Sequence, residues 1–193
     1  ITVQHLLHHA GGWDRNRSGD PMFKSRLICN SLGIDGPASA RDTLVYMLGQ
    51  PLDFDPGSDY AYSNFGYLLL GRIIEKVTGQ DYDAFVREQV LAPMGVRDME
   101  LGRSLAEDQP DDEVHYHGYE GAREVVSVFP QHSERVQRPY GGFHLEAMDA
   151  HGGWIAHAED LVRFLTAIDG RDGRADFLSA ASITKMVERP DID

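Results

Sequence analysis

The run Phe54-Asp55-Pro56-Gly57-Ser58-Asp59-Tyr60-Ala61-Tyr62-Ser63-Asn64-Phe65-Gly66-Tyr67 leaves this chain little conformational choice. Pro56 fixes its own φ and Gly57 is free to take a positive one, so the backbone reverses before Ser58-Asp59. Ser63 or Asn64 then offers a side-chain oxygen to an unpaired N–H in the first turn of a helix. Leu69, Leu70, Ile73, Ile74 and Val77 recur at three- and four-residue intervals, with Arg72, Glu75 and Lys76 between them on a solvated side. Gly79 stands where a left-handed C-terminal cap belongs. The Tyr62 phenol and the Asn64 amide are thereby set at the positive end of an apolar helix, a favourable place for an anion or a developing oxyanion. Taken alone, the triplet reads more plainly as a core aromatic beside a cap, because a three-residue pattern has little specificity.

Around this helix the pattern predicts an α+β chain with most of its helices before Leu101. Leu6 and Leu7 sit on a first helix ending at Gly11-Gly12, with His5 and His9 four residues apart on it. Residues 14–38 are mainly loop, with a short helix around Ser25 to Leu32. Ala40 to Leu48 forms an amphipathic helix closed by Gly49, and Tyr82 to Leu91 another, stopped by Pro93 and Gly95. The middle is less regular, with short strands expected at Val114–Tyr119 and Val125–Phe129. Helix returns from His157 to Ile168 and from Ser179 to Val187. No internal repeat or low-complexity linker divides the 193 residues, which suffice for one sizeable core. The expected organisation is a single partial domain: a helical lobe over about 1–98, an irregular short-strand region over about 99–156, and terminal helices over about 157–188.

Three stretches in order resemble the beta-lactamase-related serine hydrolases, the family that joins class C beta-lactamases, D-alanyl-D-alanine carboxypeptidases (penicillin-binding proteins) and esterases of the same fold. They are Ile1 to Trp13 with its His8-His9-Ala10-Gly11-Gly12, the Tyr62-Ser63-Asn64 region running on to Val96, and Ala150-His151-Gly152-Gly153-Trp154-Ile155 followed by Ala158 to Leu165. The resemblance implies the serine beta-lactamase/penicillin-binding-protein fold, of which this chain would hold the helical lobe and a few short strands without most of the central antiparallel sheet. It implies acyl-enzyme chemistry on an amide or ester, with Tyr62 as the catalytic proton-transfer residue and Asn64, Gly152 and Gly153 on the substrate. No cofactor and no metal is implied.

Family members also carry a Ser-x-x-Lys and a Lys-Thr-Gly or His-x-Gly, and neither stands in its family place between Ile1 and Asp193. The chain therefore reads as an internal piece of a longer enzyme, inactive alone. The alternative is a non-catalytic interaction module of the same shape. Ser182-Ile183-Thr184-Lys185 fits Ser-x-x-Lys by letter but falls far after Tyr-x-Asn instead of before it. The lysine matters because free tyrosine titrates near pH 10, and base service near neutrality asks for roughly 4 kcal/mol of preference for phenolate. Ala10-Gly11, where many relatives carry Thr-Ser-Gly, leaves open the choice among beta-lactam, D-alanyl peptide and small ester.

Composition narrows the partners. With 18 basic and 31 acidic residues the net charge is −13, which repels nucleic acid and anionic membranes. No apolar stretch is long enough to span a bilayer. Cys29 is the single cysteine, so no internal disulfide forms. Among nine histidines, His5 with His9 and His115 with His117 have ligand-like spacing, yet no His-Glu-x-x-His accompanies them, and surface or pocket-rim histidines are the plainer reading. No Gly-x-Ser-x-Gly points to an alpha/beta-hydrolase. Helices that belong against a missing sheet expose apolar surface, so self-association is expected. The remaining partner is a small-molecule or peptide substrate.

Overall fold

The computed structural model describes residues 1–119, 122–132, 135–171, 173 and 175–190. Helix α1 (Val3–Leu7) opens with the Thr2 hydroxyl accepting the His5 N–H at 3.1 Å, and its inward residue is Leu6. It stops two residues short of His9, so His5 and His9 do not share a helix face. Helix α2 (Ser25–Leu32) ends at Gly33 in the left-handed region, and α3 (Ala40–Leu48) begins with a reciprocal cap between Ser39 and Asp42; the two pack together.

Helix α4 (Asn64–Thr78) is the central element. Ser63, not Asn64, is the cap: its hydroxyl accepts the Gly66 N–H at 3.1 Å, and Gly79 at φ 71° closes the other end. Asn64 is thus the first helical residue, with its amide released for other work. The buried face is Phe65, Gly66, Leu68 and Gly71, which is rotated from the stripe that periodicity marks out. Val77 is 79% exposed, whereas Arg72 turns inward to Asp149 and to Glu75 at 3.3 Å. The reason is chemical: Asp149 is buried where α4 meets residues 149–150, and a buried carboxylate draws a cation to it. Gly71 completes that contact, since a Cβ there would lie 2.5 Å from the Ala150 Cβ.

The main core joins Leu6, Trp13, Met22, Ala40, Phe65, Leu68 and Met148, with the Trp13 and Phe65 rings edge-on at 4.8 Å. Each fully buried aliphatic side chain of this kind contributes about 1.5–3 kcal/mol. Helix α5 (Tyr82–Phe85) continues into a wider, π-type turn at Val86–Leu91, where one uninterrupted helix is expected from the pattern. Leu91, Met94, Val96 and Ala167 form a second cluster, against which Trp154 and Phe164 pack.

Strands are few. β1 (Glu100–Leu101) pairs antiparallel with Trp154–Ile155, which is β4, while β2 (Val125–Val126) pairs with β3 (Arg135–Val136). Val114–Tyr119 is not a strand, and the strand expected over Val125–Phe129 stops at Val126. Beyond it Val128 donates to Gly141 O at 2.9 Å and the Phe129 N–H to the Ser127 hydroxyl at 3.1 Å, bending Val128 and Phe129 into the interior. Helices α6 (Ala158–Thr166) and α7 (Ala180–Val187) follow. The architecture is α+β and predominantly helical, with two two-stranded ladders among the described residues in place of a broad sheet. No described helix is long and apolar enough to cross a membrane.

Candidate active site

Backbone stitching creates the site. Asp53 N–H donates to Gly12 O at 2.7 Å, Gly57 N–H to Ala10 O at 2.9 Å and Ala61 N–H to His9 O at 2.9 Å. The stretch leading into α4 is thus laid along residues 9–12. Pro56-Gly57 makes the anticipated reversal, with Ser58 N–H on Asp55 O at 3.0 Å and Gly57 at φ 85°. The final stitch is a side chain: the Ser63 N–H donates to His9 Nδ1 at 3.2 Å.

Tyr62 leaves this seam at the surface, 40% exposed. Its ring lies 4.6 Å from the His9 imidazole, centroid to centroid, and the Arg15 guanidinium carbon sits 4.6 Å from the same ring centre. Tyr60 and Tyr67 complete an aromatic collar around His9, at 5.9 and 5.0 Å. Burial raises the Tyr67 pKa, and the adjacent phenols of Tyr62 and Tyr60 raise it further. Arg15 is carried on a loop that Asp53 holds, through Asp14 N–H and the Ser18 hydroxyl on Asp53 Oδ2, both at 2.8 Å.

Asn64 points to a different partner. Its Nδ2 donates to Asp20 Oδ2 at 2.6 Å, which fixes the amide's rotation and leaves Oδ1 as the free acceptor. Asp20 uses its other oxygen to cap the turn Pro21–Phe23, accepting the Met22 N–H at 3.0 Å. The same carboxylate acts on His151. Burial lowers the His151 pKa and the Asp20 charge opposes that shift, while His151 Nε2 is buried with no hydrogen-bond partner among the described residues. Asp20 thus holds Asn64 by a hydrogen bond and reaches His151 only through its charge.

Gly152 and Gly153 stand at a tight turn in which His151, Gly152 and Gly153 all direct their N–H groups to Met148 O at 3.1 Å. Both glycines line an open cleft of about 290 Å³ with Arg103, Tyr116, Phe143 and Leu145. Their N–H groups are occupied by the chain itself, so the glycines offer shape and close approach and not two free donors.

Ser182 and Lys185 do not form a nucleophile pair. Both are exposed on α7; the Ser182 hydroxyl is 2.9 Å from that of Ser179, and the Lys185 ammonium lies on Glu188 at 2.6 Å. A Ser104–Glu146–His144 group, by contrast, is a tie inside the fold. The buried Ser104 hydroxyl donates to Glu146 and accepts the Leu145 N–H at 2.7 Å, and His144 Nδ1 sits 2.9 Å from Ala38 O. Glu146 is held below the usual carboxylate range: burial opposes this, and the Ser104 hydrogen bonds and the nearby His144 outweigh it. No group of three or more His, Cys, Asp or Glu suited to a metal ion occurs among the described residues.

Sequence reasoning missed His9, Arg15 and Asp20 as neighbours of the Tyr-x-Asn turn. Asp20-Pro21 carries a readable cap signal, but the Asn64 contact spans 44 positions and leaves no local trace.

Known proteins share this fold. A solved D-stereospecific amidohydrolase from Streptomyces sp. superposes with a TM-score of 0.67 at 23% identity, over 100% of this chain and 52% of that one. An octameric penicillin-binding protein homologue from Pyrococcus abyssi gives 0.61 at 24% identity, over 96% of this chain and 38% of that one. Among curated sequences, an Escherichia coli K12 protein with the provisional name D-alanyl-D-alanine carboxypeptidase is 30% identical over 197 aligned residues, 96% of this chain. The chain spans about 43% of that relative's length. With the family model described as Beta-lactamase matching residues 1–192, and the Tyr-x-Asn turn, the helix behind it and the Gly-Gly turn assembled in one fold, the chain belongs to the Beta-lactamase family.

Proposed function

We propose that the protein carrying this chain is a serine hydrolase that cleaves an amide or ester through an acyl-enzyme. A serine hydroxyl attacks the carbonyl carbon, the amine or alcohol leaves with a proton, and water then releases the acid from the acyl-serine. Tyr62 moves the proton between the serine and the leaving group. Asn64, its amide oriented by Asp20, uses its free Oδ1 to accept from a substrate N–H or the lysine of Ser-x-x-Lys. Gly152 and Gly153 shape the wall that substrate passes. The observation that carries this reading is the Asn64–Asp20 hydrogen bond of 2.6 Å, which fixes the amide beside Tyr62 at the positive end of α4.

The favoured substrate is an amide next to a D-amino acid, because the neighbours named above as a carboxypeptidase and an amidohydrolase are both named for D-configured substrates. The test is to incubate the full-length protein with D- and L-aminoacyl amides, a chromogenic beta-lactam and a p-nitrophenyl ester, and to search by mass spectrometry for an acyl-serine. Faster turnover of the D-amide with an adduct on the serine of a Ser-x-x-Lys supports the proposal. No adduct and no turnover of any of them overturns it and favours a non-catalytic interaction module.

Residues 1–193 alone are read as inactive, since Ser182 and Lys185 are engaged with Ser179 and Glu188 and not with each other. Self-association belongs to the same reading: Val3 and Leu7 on α1, Leu165 on α6 and Val187 on α7 are each close to half exposed or more. Sedimentation of a strict monomer at high concentration would remove that part.

A further inference from the structure

We propose that His9 is a positioning residue for Tyr62: its Nδ1 is fixed by the Ser63 N–H, and its ring sets the orientation of the phenol. The inference rests on the reading of Tyr62 as the proton-transfer residue. Three observations converge on it.

The first is conformational. Among the described residues, His9 is the non-glycine with positive φ, at 55°, a region that costs such a residue free energy and persists only where its surroundings impose it. Here both ends of the residue are committed. Its carbonyl accepts the Ala61 N–H at 2.9 Å and its side chain accepts the Ser63 N–H at 3.2 Å, one residue on either side of Tyr62.

The second is the ring contact. The imidazole is tilted 36° to the Tyr62 ring at 4.6 Å and 33° to the Tyr67 ring at 5.0 Å, and Tyr67 is itself tied by its hydroxyl to Leu7 O at 3.1 Å. Tyr62 therefore leans on a ring that is braced from behind by α4 and α1. The charged and titratable groups facing His9 and its collar are the phenols of Tyr60, Tyr62 and Tyr67 and, across the Tyr62 ring, the Arg15 guanidinium.

The third is the tautomer. An Nδ1 that accepts a hydrogen bond carries no proton, so the imidazole hydrogen resides on Nε2, and an imidazolium would have to give up the Ser63 contact. Burial, which lowers the His9 pKa, acts in the same sense.

Two substitutions separate the contributions. His9→Asn tolerates the left-handed backbone and places an amide oxygen near the Nδ1 position, but removes the ring; His9→Phe keeps a ring and removes the acceptor. In the full-length protein, His9→Asn is expected to lower kcat about two- to tenfold, the range of a lost ring contact, with KM unchanged and Tm within a few degrees. On a Tyr62→Phe background His9→Asn is expected to have no further effect on kcat. Nitrogen-15 NMR of the imidazoles is expected to show His9 with its proton on Nε2, and the Tyr62 ring-proton signals are expected to move in His9→Asn. A proton on Nδ1, Tyr62 signals unmoved by His9→Asn, or an undiminished effect in the double variant would each overturn the proposal. Should Tyr62→Phe alone leave kcat intact, the catalytic reading of Tyr62 falls, and the NMR measurements still decide whether His9 holds that ring.

Discussion

Two regions of the chain are built in opposite ways. From Ile1 to Gly79 the chain is organised by buried apolar side chains on helices, with Leu6, Trp13, Phe65 and Leu68 in one cluster and the site mounted on its rim. From Leu101 to Tyr140 it is organised by polar ties between distant positions: two-residue strands, Tyr116 N–H on the Tyr140 hydroxyl at 2.7 Å, and Ser127 against Gly141. The first kind of order is cooperative, because removing one side chain leaves a cavity that its neighbours share. The second is distributed, and each tie is replaceable at small cost. Tyr62 and Asn64, the residues proposed above to act on substrate, lie beside the first kind of order, at the start of α4.

The contrast is most easily broken at Leu68, which is fully buried on the inner face of α4. Leu68→Ala is expected to destabilise the chain by about 2–5 kcal/mol in denaturant titration. Val126→Ala, on the half-open β2, is expected to cost under about 1 kcal/mol. Equal losses at the two positions would erase the distinction. Removing the helix cap with Ser63→Ala is expected to cost about 1 kcal/mol by the same measurement. The readout that sharpens the comparison there is the hydrogen exchange of the first α4 amides, which should quicken without a matching change around Val126.

A smaller effect follows from pH. Burial holds both His9 and His151 below the ordinary value of 6.5, so the unfolded chain binds more protons than the folded one between the folded pKa values and 6.5. Their contribution is complete above about pH 6.5 and is lost as the pH falls through the folded values. The denaturant midpoint is therefore expected to be lower at pH 5.5 than at pH 7.5, and the difference to shrink in a His9→Asn, His151→Gln double variant. Glu146, depressed below 4.5, loses its contribution only at more acid pH and does not confuse that window.

How much was legible follows the same division. Helices α2 and α3, the Pro56-Gly57 reversal and the Gly79 cap were readable because their signals are local: a cap, a period and a glycine within a few residues. The buried face of α4 was misread because an isolated pattern cannot see Asp149 pulling Arg72 inward. Val114–Tyr119 has the composition of a strand but finds no partner strand among the described residues, and pairing is what makes a strand. At the site, Tyr62 and Asn64 were visible as a motif. His9, Arg15 and Asp20 were not, since a histidine beside Ala-Gly-Gly reads as a helix end and nothing near Asp20 announces an amide 44 positions away.

The seam between residues 9–12 and 53–61 has an evolutionary consequence. With Asp53 N–H bonded to Gly12 O, the two ends of residues 13–52 lie close together. Within residues 13–52, Trp13, Met22 and Ala40 are fixed in the main core, and lengthening an exposed stretch between such anchors adds only about 0.6 kcal/mol of closure entropy per doubling. The first turn of residues 13–52 carries Arg15 and Asp20 to the rim of the site. A lineage can therefore rewrite those exposed stretches while Tyr62 and Asn64 stay where the seam holds them.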